Sequence, residues 1–142
     1  MEYKLYSEEN YQQLIQLWQE AKLPYKPKGR DSQTSISDSL ENKNLRILLA
    51  YQNSELIGSV IVSHDNRKGW INRLAVHPRY WHQGIASKLI KKAEQILQDM
   101  NIEIYACLIK DWNQASLQLF KKNGYTLHDD ITYLTKRENK DV

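Results

Sequence analysis

The segment AVHPRYWHQGIASKLIKKAEQIL, from Ala75 to Leu97, decides the fold. It starts as a strand end, passes Pro78 and a polar loop, and continues after a lone glycine, Gly84, as a long helix. The apolar positions follow a 3.6-residue period: Ile85, Leu89, Ile90, Ala93, Ile96, Leu97 and Met100. The first N–H groups of a helix lack internal partners and form an anion site with the helix dipole. Gly84 would let a phosphate approach that backbone, and an ordinary turn glycine is the alternative.

The sequence before this segment predicts alternating strands and helices. Tyr3–Tyr6 forms a short strand, and Ser7 caps a helix whose apolar side chains share one face. A second short helix is predicted from Ser35 to Asn42. Two β-rich runs flank the turn Gln52-Asn53-Ser54, and WINRLAV adds a third strand of the meander.

The sequence after the long helix predicts a strand at IEIYACLI, a helix from Asn113 to Asn123, and one or two short strands in YTLHDDITYLTKR. The element order is β-α-α-β-β-β-α-β-α-β-β. The strands around the long helix, between Trp70 and Leu108, are expected to be parallel because a crossover helix joins them. The fold class is therefore α+β, a mixed sheet with helices on both faces, and residues 1–142 are expected to form one domain.

Composition restricts the function classes. The chain has 142 residues with 20 basic and 17 acidic side chains, and the basic residues are not clustered as nucleic-acid binding requires. The one cysteine, Cys107, excludes an internal disulfide, and neither a signal peptide nor a membrane-length apolar run is present. A cytoplasmic protein without nucleic-acid or membrane partners is expected. The phosphate motifs G-x-x-x-x-G-K-[ST] and G-x-G-x-x-G are both absent.

Two motifs resemble the GNAT N-acetyltransferase superfamily. LAVHPRYWHQGIASKLI is similar to the family's V-x-P followed by [RQ]-x-x-G-x-[GA], and NQASLQLFKKNGY is similar to its N-x-x-[AS]-x-x-[LF]-[YF]-x-x-x-G-[FY]. The motifs lie about thirty residues apart on the expected elements, and the resemblance spans roughly Tyr3 to Lys136. It implies the acyl-CoA N-acyltransferase fold and, among its members, a small stand-alone bacterial or archaeal acetyltransferase.

The resemblance implies three groups of residues that bind acetyl-CoA as cosubstrate. Strand-end backbone groups contact the pantetheine arm, the N–H groups of the phosphate turn hold the pyrophosphate, and Asn113 on the later helix hydrogen-bonds the pantetheine. It also implies that the parallel strands holding Val76 and Tyr105 separate, so that the cofactor lies in the gap. In chain order the cofactor residues are Leu74, Ala75, Val76, His82, Gln83, Gly84, Ile85, Ala86, Ser87, Asn113, Ser116 and Phe120.

Two positions depart from the family pattern. Trp81 stands where the family usually has Arg or Gln, which leaves Lys88 or Arg79 as sources of charge for the phosphates. A tryptophan here either covers part of the cofactor or packs on the surface. Phe120 stands where the family often has a tyrosine acting as general acid for the departing thiolate, and phenylalanine has no proton to donate. A thiol of pKa about 8.5 is nevertheless a fair leaving group without such help.

The catalytic residues are unknown at this level. Tyr105, Tyr133 and Cys107 are candidate substitutes for the missing acid, although strand tyrosines more often pack. The strand Trp70–Val76 lacks the glutamate that many family members use as a base. The remaining candidate bases lie in turns: His64, Asp65, His128, Asp129 and Asp130. The four histidines lack metal-site spacing, and satisfied or exposed histidines are expected.

The family layout places the acceptor between the loop Lys22–Thr34 and the loop His128–Ile131, whose mixed charge names no substrate. The principal hypothesis is an N-acetyltransferase in which a primary amine attacks acetyl-CoA directly in a ternary complex. The main alternative is a non-catalytic acyl-CoA-binding or regulatory module. A third hypothesis is a nucleic-acid or protein interaction domain. A homodimer is possible in each case.

Overall fold

A computed structural model describes residues 1–142. One five-stranded sheet holds the strands in chain order. The strands are β1 (Glu2–Leu5), β2 (Leu45–Gln52), β3 (Glu55–His64), β4 (Gly69–Val76) and β5 (Tyr105–Ala106). The helices are α1 (Tyr11–Glu20), α2 (Gln33–Ser39), α3 (Ile85–Asp99) and α4 (Gln114–Lys122). Neighbouring strands are antiparallel except β4 and β5, which are parallel as predicted. The mixed sheet is therefore confirmed.

Two apolar clusters pack on opposite faces of the sheet. On one face α3 buries five of the seven residues that its 3.6-residue period predicted, together with Phe120 of α4, while Ile96 and Met100 are partly buried. On the other face α1 and α2 bury Leu14, Leu17, Trp18 and Ile36. Helices thus cover both faces, as the sequence predicted.

Helix starts follow local capping. Ser7 begins a short 3₁₀ turn, Glu8–Asn10, before α1, and its backbone N–H donates to Asn10 Oδ1 at 2.9 Å. The second helix begins two residues earlier than predicted because Ser32 Oγ accepts the backbone N–H of Ser35 at 3.1 Å. None of the helices is long and apolar enough to cross a membrane.

The one or two closing strands predicted in YTLHDDITYLTKR, residues 125–137, are not formed, and the strand predicted at IEIYACLI shortens to Tyr105–Ala106. Alternating apolar residues form a strand only where a sheet edge supplies hydrogen-bond partners and a surface to cover. Here β5 offers an edge of only two residues. The apolar side chains of the closing segment, residues 125–142, accordingly stay exposed: Leu127, Ile131, Tyr133 and Leu134.

The closing segment instead approaches the connection between α1 and α2. The backbone N–H of Arg30 donates to the carbonyl of Asp141 at 3.2 Å. A Cβ added at Gly29 would lie 1.8 Å from that same carbonyl oxygen. Only glycine therefore fits at position 29 while the segment occupies this place.

Candidate active site

A gap opens between β4 and β5. The two strands pair only at Gly69 with Tyr105 and at Trp70 with Ala106. One further contact follows, in which the backbone N–H of Leu108 donates to Asn72 Oδ1 at 3.0 Å. From residue 73 onward this edge of β4 has no neighbouring strand, so a ligand can pair with it.

A β-bulge in β4 lies at the start of the gap. The pairing with β3 passes from Asn72 opposite Ile61 to Ala75 opposite Ser59, so Arg73 and Leu74 face one residue of β3. Arg73 adopts a left-handed backbone with φ of 54°. Such a conformation costs a non-glycine residue about 1–3 kcal/mol, and bulges bend the strand that carries them. The bulge thus marks where β4 leaves β5.

Backbone alternation directs the peptide groups of Val76 into the gap. The N–H of His77 donates to the Ile57 carbonyl on β3 at 2.8 Å, so the N–H and C=O of the preceding residue face the opposite edge. The indole Nε1 of Trp81 donates to the Val76 carbonyl at 2.6 Å. The N–H of Val76 is left as the donor for a ligand, and the Trp81 ring is half-exposed.

The turn before α3 presents a row of free donors. His82 and Gly84 have left-handed φ values of 62° and 80°. No group of the chain accepts the backbone N–H of any residue from 82 to 87, and Lys88 is the first to donate within the helix, to Gly84 O at 3.1 Å. A Cβ built on Gly84 has no atom within 4 Å. The turn therefore combines open space, unpaired N–H groups and the positive end of the helix dipole, which suit an anion.

The third group of residues predicted to bind the cofactor lies at the start of α4. Asn113 Oδ1 accepts the backbone N–H of Ser116 at 3.2 Å, which leaves the side-chain amide of Asn113 as a free donor. At the other end of the helix, Asn123 Nδ2 donates to Ser87 Oγ at 3.2 Å. This bond joins the end of α4 to the first turn of α3.

Phe120 is a packing residue in this structure. It is 5% exposed and stands edge-on to Tyr125, with ring centroids 5.0 Å apart. Tyr125 donates its hydroxyl to Glu94 Oε2 at 2.7 Å. Burial, and next this hydrogen bond, raise the pKa of Tyr125 far above its ordinary value. The Tyr125 hydroxyl therefore keeps its proton and donates it in the hydrogen bond to Glu94.

The structure does not bring together the candidate acids Tyr105 and Tyr133 and the candidate base Asp130. Tyr105 is half-buried on β5, whereas Asp130 and Tyr133 are exposed in the closing segment, and no hydrogen bond or ion pair joins them. The turn candidates have local roles: His64 Nδ1 accepts the N–H of Asn66, and Asp65 accepts two backbone N–H groups, which lower its pKa. His128 and Asp129 are exposed. No general acid or base emerges from these positions.

A histidine–carboxylate pair at the end of β4 was missed by the sequence reasoning. His77 Nε2 lies 2.7 Å from Glu20 Oε2, and His77 Nδ1 accepts the backbone N–H of Arg79. Both ring nitrogens are engaged, so this is the satisfied histidine that was expected. The pair joins the end of α1 to the end of β4, and no sequence signal links residues 57 positions apart.

Cys107 is expected to react slowly. Burial raises its pKa to about 11. At pH 8 a thiol with the ordinary pKa of about 8.5 is roughly one quarter thiolate, whereas one at 11 is about one thousandth thiolate. We expect alkylation by iodoacetamide at pH 8 to be roughly 250-fold slower than that of free cysteine, as followed by mass spectrometry. Equal rates would show that the thiol is not buried as described.

Comparison with known proteins adds to this geometry. The profile of the acetyltransferase (GNAT) family matches residues 11–125. An acetyltransferase of Sodalis glossinidius is 27% identical over 137 residues, which make up 96% of this chain and 95% of that protein.

Two solved structures share the fold. The PaiA N-acetyltransferase of Thermoplasma acidophilum, in complex with coenzyme A, superposes with a TM-score of 0.78 at 22% identity and covers 92% of this chain and 94% of that one. A predicted acetyltransferase of Clostridium acetobutylicum with acetyl-CoA has a TM-score of 0.73 at 17% identity, covering 94% and 95%. At these identities the likeness shows the fold alone.

Proposed function

The chain belongs to the acetyltransferase (GNAT) family, and on this premise we propose that it transfers the acetyl group of acetyl-CoA to a primary amine. The proposal treats residues 1–142 as one catalytic domain. The observation that carries it is the row of unpaired backbone N–H groups from His82 to Ser87, beside the open edge of β4. These two features suit the two chemically different parts of one ligand, its diphosphate and its amide-rich arm.

The proposed binding mode assigns each part of the cosubstrate to backbone donors. The diphosphate lies at the turn around Gly84, where the helix dipole and N–H groups favour an anion. The pantetheine arm extends along β4, where its amides take the place of a neighbouring strand and meet the N–H of Val76. The free amide of Asn113 donates from the other side of the gap. Complexes of PaiA with coenzyme A and of the Clostridium protein with acetyl-CoA support this choice of ligand.

The proposed chemistry is direct attack. The deprotonated amine forms a bond to the thioester carbonyl carbon, a strand-end N–H of β4 stabilises the oxygen as it becomes negative, and the carbon–sulfur bond breaks to release the thiolate. The thiolate takes a proton from solvent, and the amine loses its own to solvent. Phe120 and Tyr125 supply no proton, so we expect turnover to rise with pH as more amine is deprotonated.

Acetyl-CoA is expected to stabilise the folded protein. A ligand at about 100 times its Kd contributes ~2.7 kcal/mol, which for a domain of this size raises the Tm by roughly 8 °C. The measurement is thermal unfolding with and without acetyl-CoA, with adenosine as a ligand that lacks the diphosphate and the arm. No shift with acetyl-CoA would contradict the binding site.

Turnover separates an enzyme from a binding module. After a positive thermal shift, release of free thiol is measured with a panel of small amines, amino acids, aminoglycosides and peptide N-termini across pH 7–9. Acetyl-CoA consumption with at least one amine is the expected result. Stabilisation without thiol release from any amine would support the alternative, a non-catalytic acyl-CoA-binding module. The buried Phe120 is the observation that favours that alternative.

A further inference from the structure

The Arg73 side chain connects β4 to the α1–α2 loop, defined as residues 21–32. From the bulge it extends over Trp18, with the guanidinium carbon 4.3 Å from a ring centroid. Its Nη2 donates to the carbonyl of Pro24 at 2.9 Å and lies 3.4 Å from Asp31 Oδ2. One side chain thus contacts both ends of a loop that has no helix or strand of its own.

Asp31 is the partner that organises the loop from within. It is buried, and its Oδ2 accepts the backbone N–H of Lys26 at 2.7 Å. Its own carbonyl accepts the hydroxyl of Tyr11 on α1 at 2.9 Å. Because Lys26 lies five residues before Asp31, this carboxylate closes the loop on itself and presents it to Arg73.

The conformation and burial of Arg73 are energetically unfavourable unless the α1–α2 loop stays in place. Arg73 combines a left-handed backbone with a guanidinium whose Nε is buried without an acceptor. Burial also lowers the pKa of Arg73, while Asp31 opposes that change. A buried cation is strongly unfavourable when its carboxylate partner is removed. The contacts with Pro24, Asp31 and Trp18 therefore compensate a strained and desolvated residue at the start of the gap.

We propose that Arg73 is a positioning residue that fixes the α1–α2 loop against β4 and so sets how the amine acceptor is held. The inference rests on the proposed function, because it takes the acceptor to enter beside this loop. Arg73 directly precedes Leu74, at the point where β4 begins to face the gap. Movement of the loop therefore changes the acceptor site without changing the turn at Gly84, which belongs to the opposite face of the sheet.

Two substitutions separate the parts of this role. Arg73→Asn removes the guanidinium but keeps a residue type that tolerates left-handed backbone. Arg73→Lys keeps the charge but loses the planar donor set that stacks on Trp18 and reaches two oxygens. Arg46→Ala is the matched control, because Arg46 also donates to backbone carbonyls, those of Lys43 and Leu45, but at the start of β2.

The kinetic measurement uses whichever amine the thiol-release panel identifies. For both Arg73 variants we expect the acceptor KM to rise about tenfold, kcat to change less than threefold, and the acetyl-CoA thermal shift to stay within 2 °C of the unsubstituted protein. Arg46→Ala is expected to leave all three unchanged. An unchanged acceptor KM in Arg73→Asn, or full activity in Arg73→Lys, would overturn the proposal.

The contacts of Arg73 with the α1–α2 loop form a clamp, and limited proteolysis tests this clamp without a measurement of enzyme activity. Trypsin can cut after Lys22, Lys28 and Arg30 only if the loop leaves its place, whereas Lys26 precedes a proline and resists cleavage. We expect cleavage at these three sites at least fivefold faster in Arg73→Asn than in the unsubstituted protein or in Arg46→Ala. Equal rates would refute the clamp. If acetyl-CoA fails to stabilise the unsubstituted protein while the cleavage rates differ as expected, the proposed function fails and the clamp stands.

Discussion

Gly84→Asp is expected to weaken acetyl-CoA binding by roughly 1,000-fold while leaving the fold intact. The position has φ of 80°, which Asp and Asn tolerate better than other residues with side chains, and a new Cβ would meet no atom within 4 Å. A carboxylate at the positive end of α3 is favourable for the helix itself. For the proposed ligand it is unfavourable, because two like charges at about 4 Å near a protein surface repel by ~4 kcal/mol, and each 1.4 kcal/mol is about tenfold in affinity.

The matched comparison for this change is neutral and isosteric. Gly84→Asn introduces a side chain of the same size without charge, so it should weaken binding less than Gly84→Asp. Gly124→Asp places the same carboxylate at a second glycine with positive φ and open space, after α4. Isothermal titration calorimetry measures all three. Unchanged affinity in Gly84→Asp would remove the diphosphate from this turn.

Trp18→Ala is expected to lower the free energy of unfolding by about 3–5 kcal/mol, the range for deleting a buried aromatic side chain. Trp18 is fully buried in the cluster formed by α1 and α2, and its indole Nε1 donates to Ser59 Oγ at 3.1 Å. Removing the ring leaves a cavity, an unpaired hydroxyl in the sheet and an unsupported guanidinium at Arg73. Each of these consequences destabilises the same face.

Urea denaturation measures the effect, with Trp112→Ala as the control. Trp112 is 72% exposed, so its removal should change the free energy of unfolding by less than about 0.5 kcal/mol. Both variants lose one tryptophan, which keeps the spectroscopic comparison fair when circular dichroism is the probe. A loss below about 1 kcal/mol in Trp18→Ala would mean that this cluster is not packed as described.

The turn before α3 and the start of α4 were accessible from sequence because their signals are local. The period of α3, the lone Gly84 and the capping residue Asn113 lie within a few positions of the structure they determine. Short-range steric and hydrogen-bonding rules therefore predict the helix, its start and its free donors. The mixed sheet followed from the same patterns and from the crossover rule for parallel strands.

The contacts of the α1–α2 loop were not accessible in this way because they join residues remote in the chain. Arg73 and Asp31 are 42 residues apart in the chain. The left-handed φ at position 73 could not be predicted, because an arginine and not a glycine stands there. The indole N–H of Trp81 donates to the backbone carbonyl of Val76, and composition cannot indicate such a contact. The prediction of the closing strands was wrong for a related reason. These strands would need the edge of β5 as their partner, and the length of that edge depends on where β4 and β5 separate.

The division of the apolar interior into two clusters has an evolutionary consequence. The elements proposed to hold the donor rest on the face covered by α3 and α4, and the loop proposed to meet the acceptor rests on the face covered by α1 and α2. Substitutions that accumulate beneath one face leave the packing of the other largely undisturbed. A lineage with this architecture can exchange one nucleophile for another over time while inheriting the same carrier unchanged.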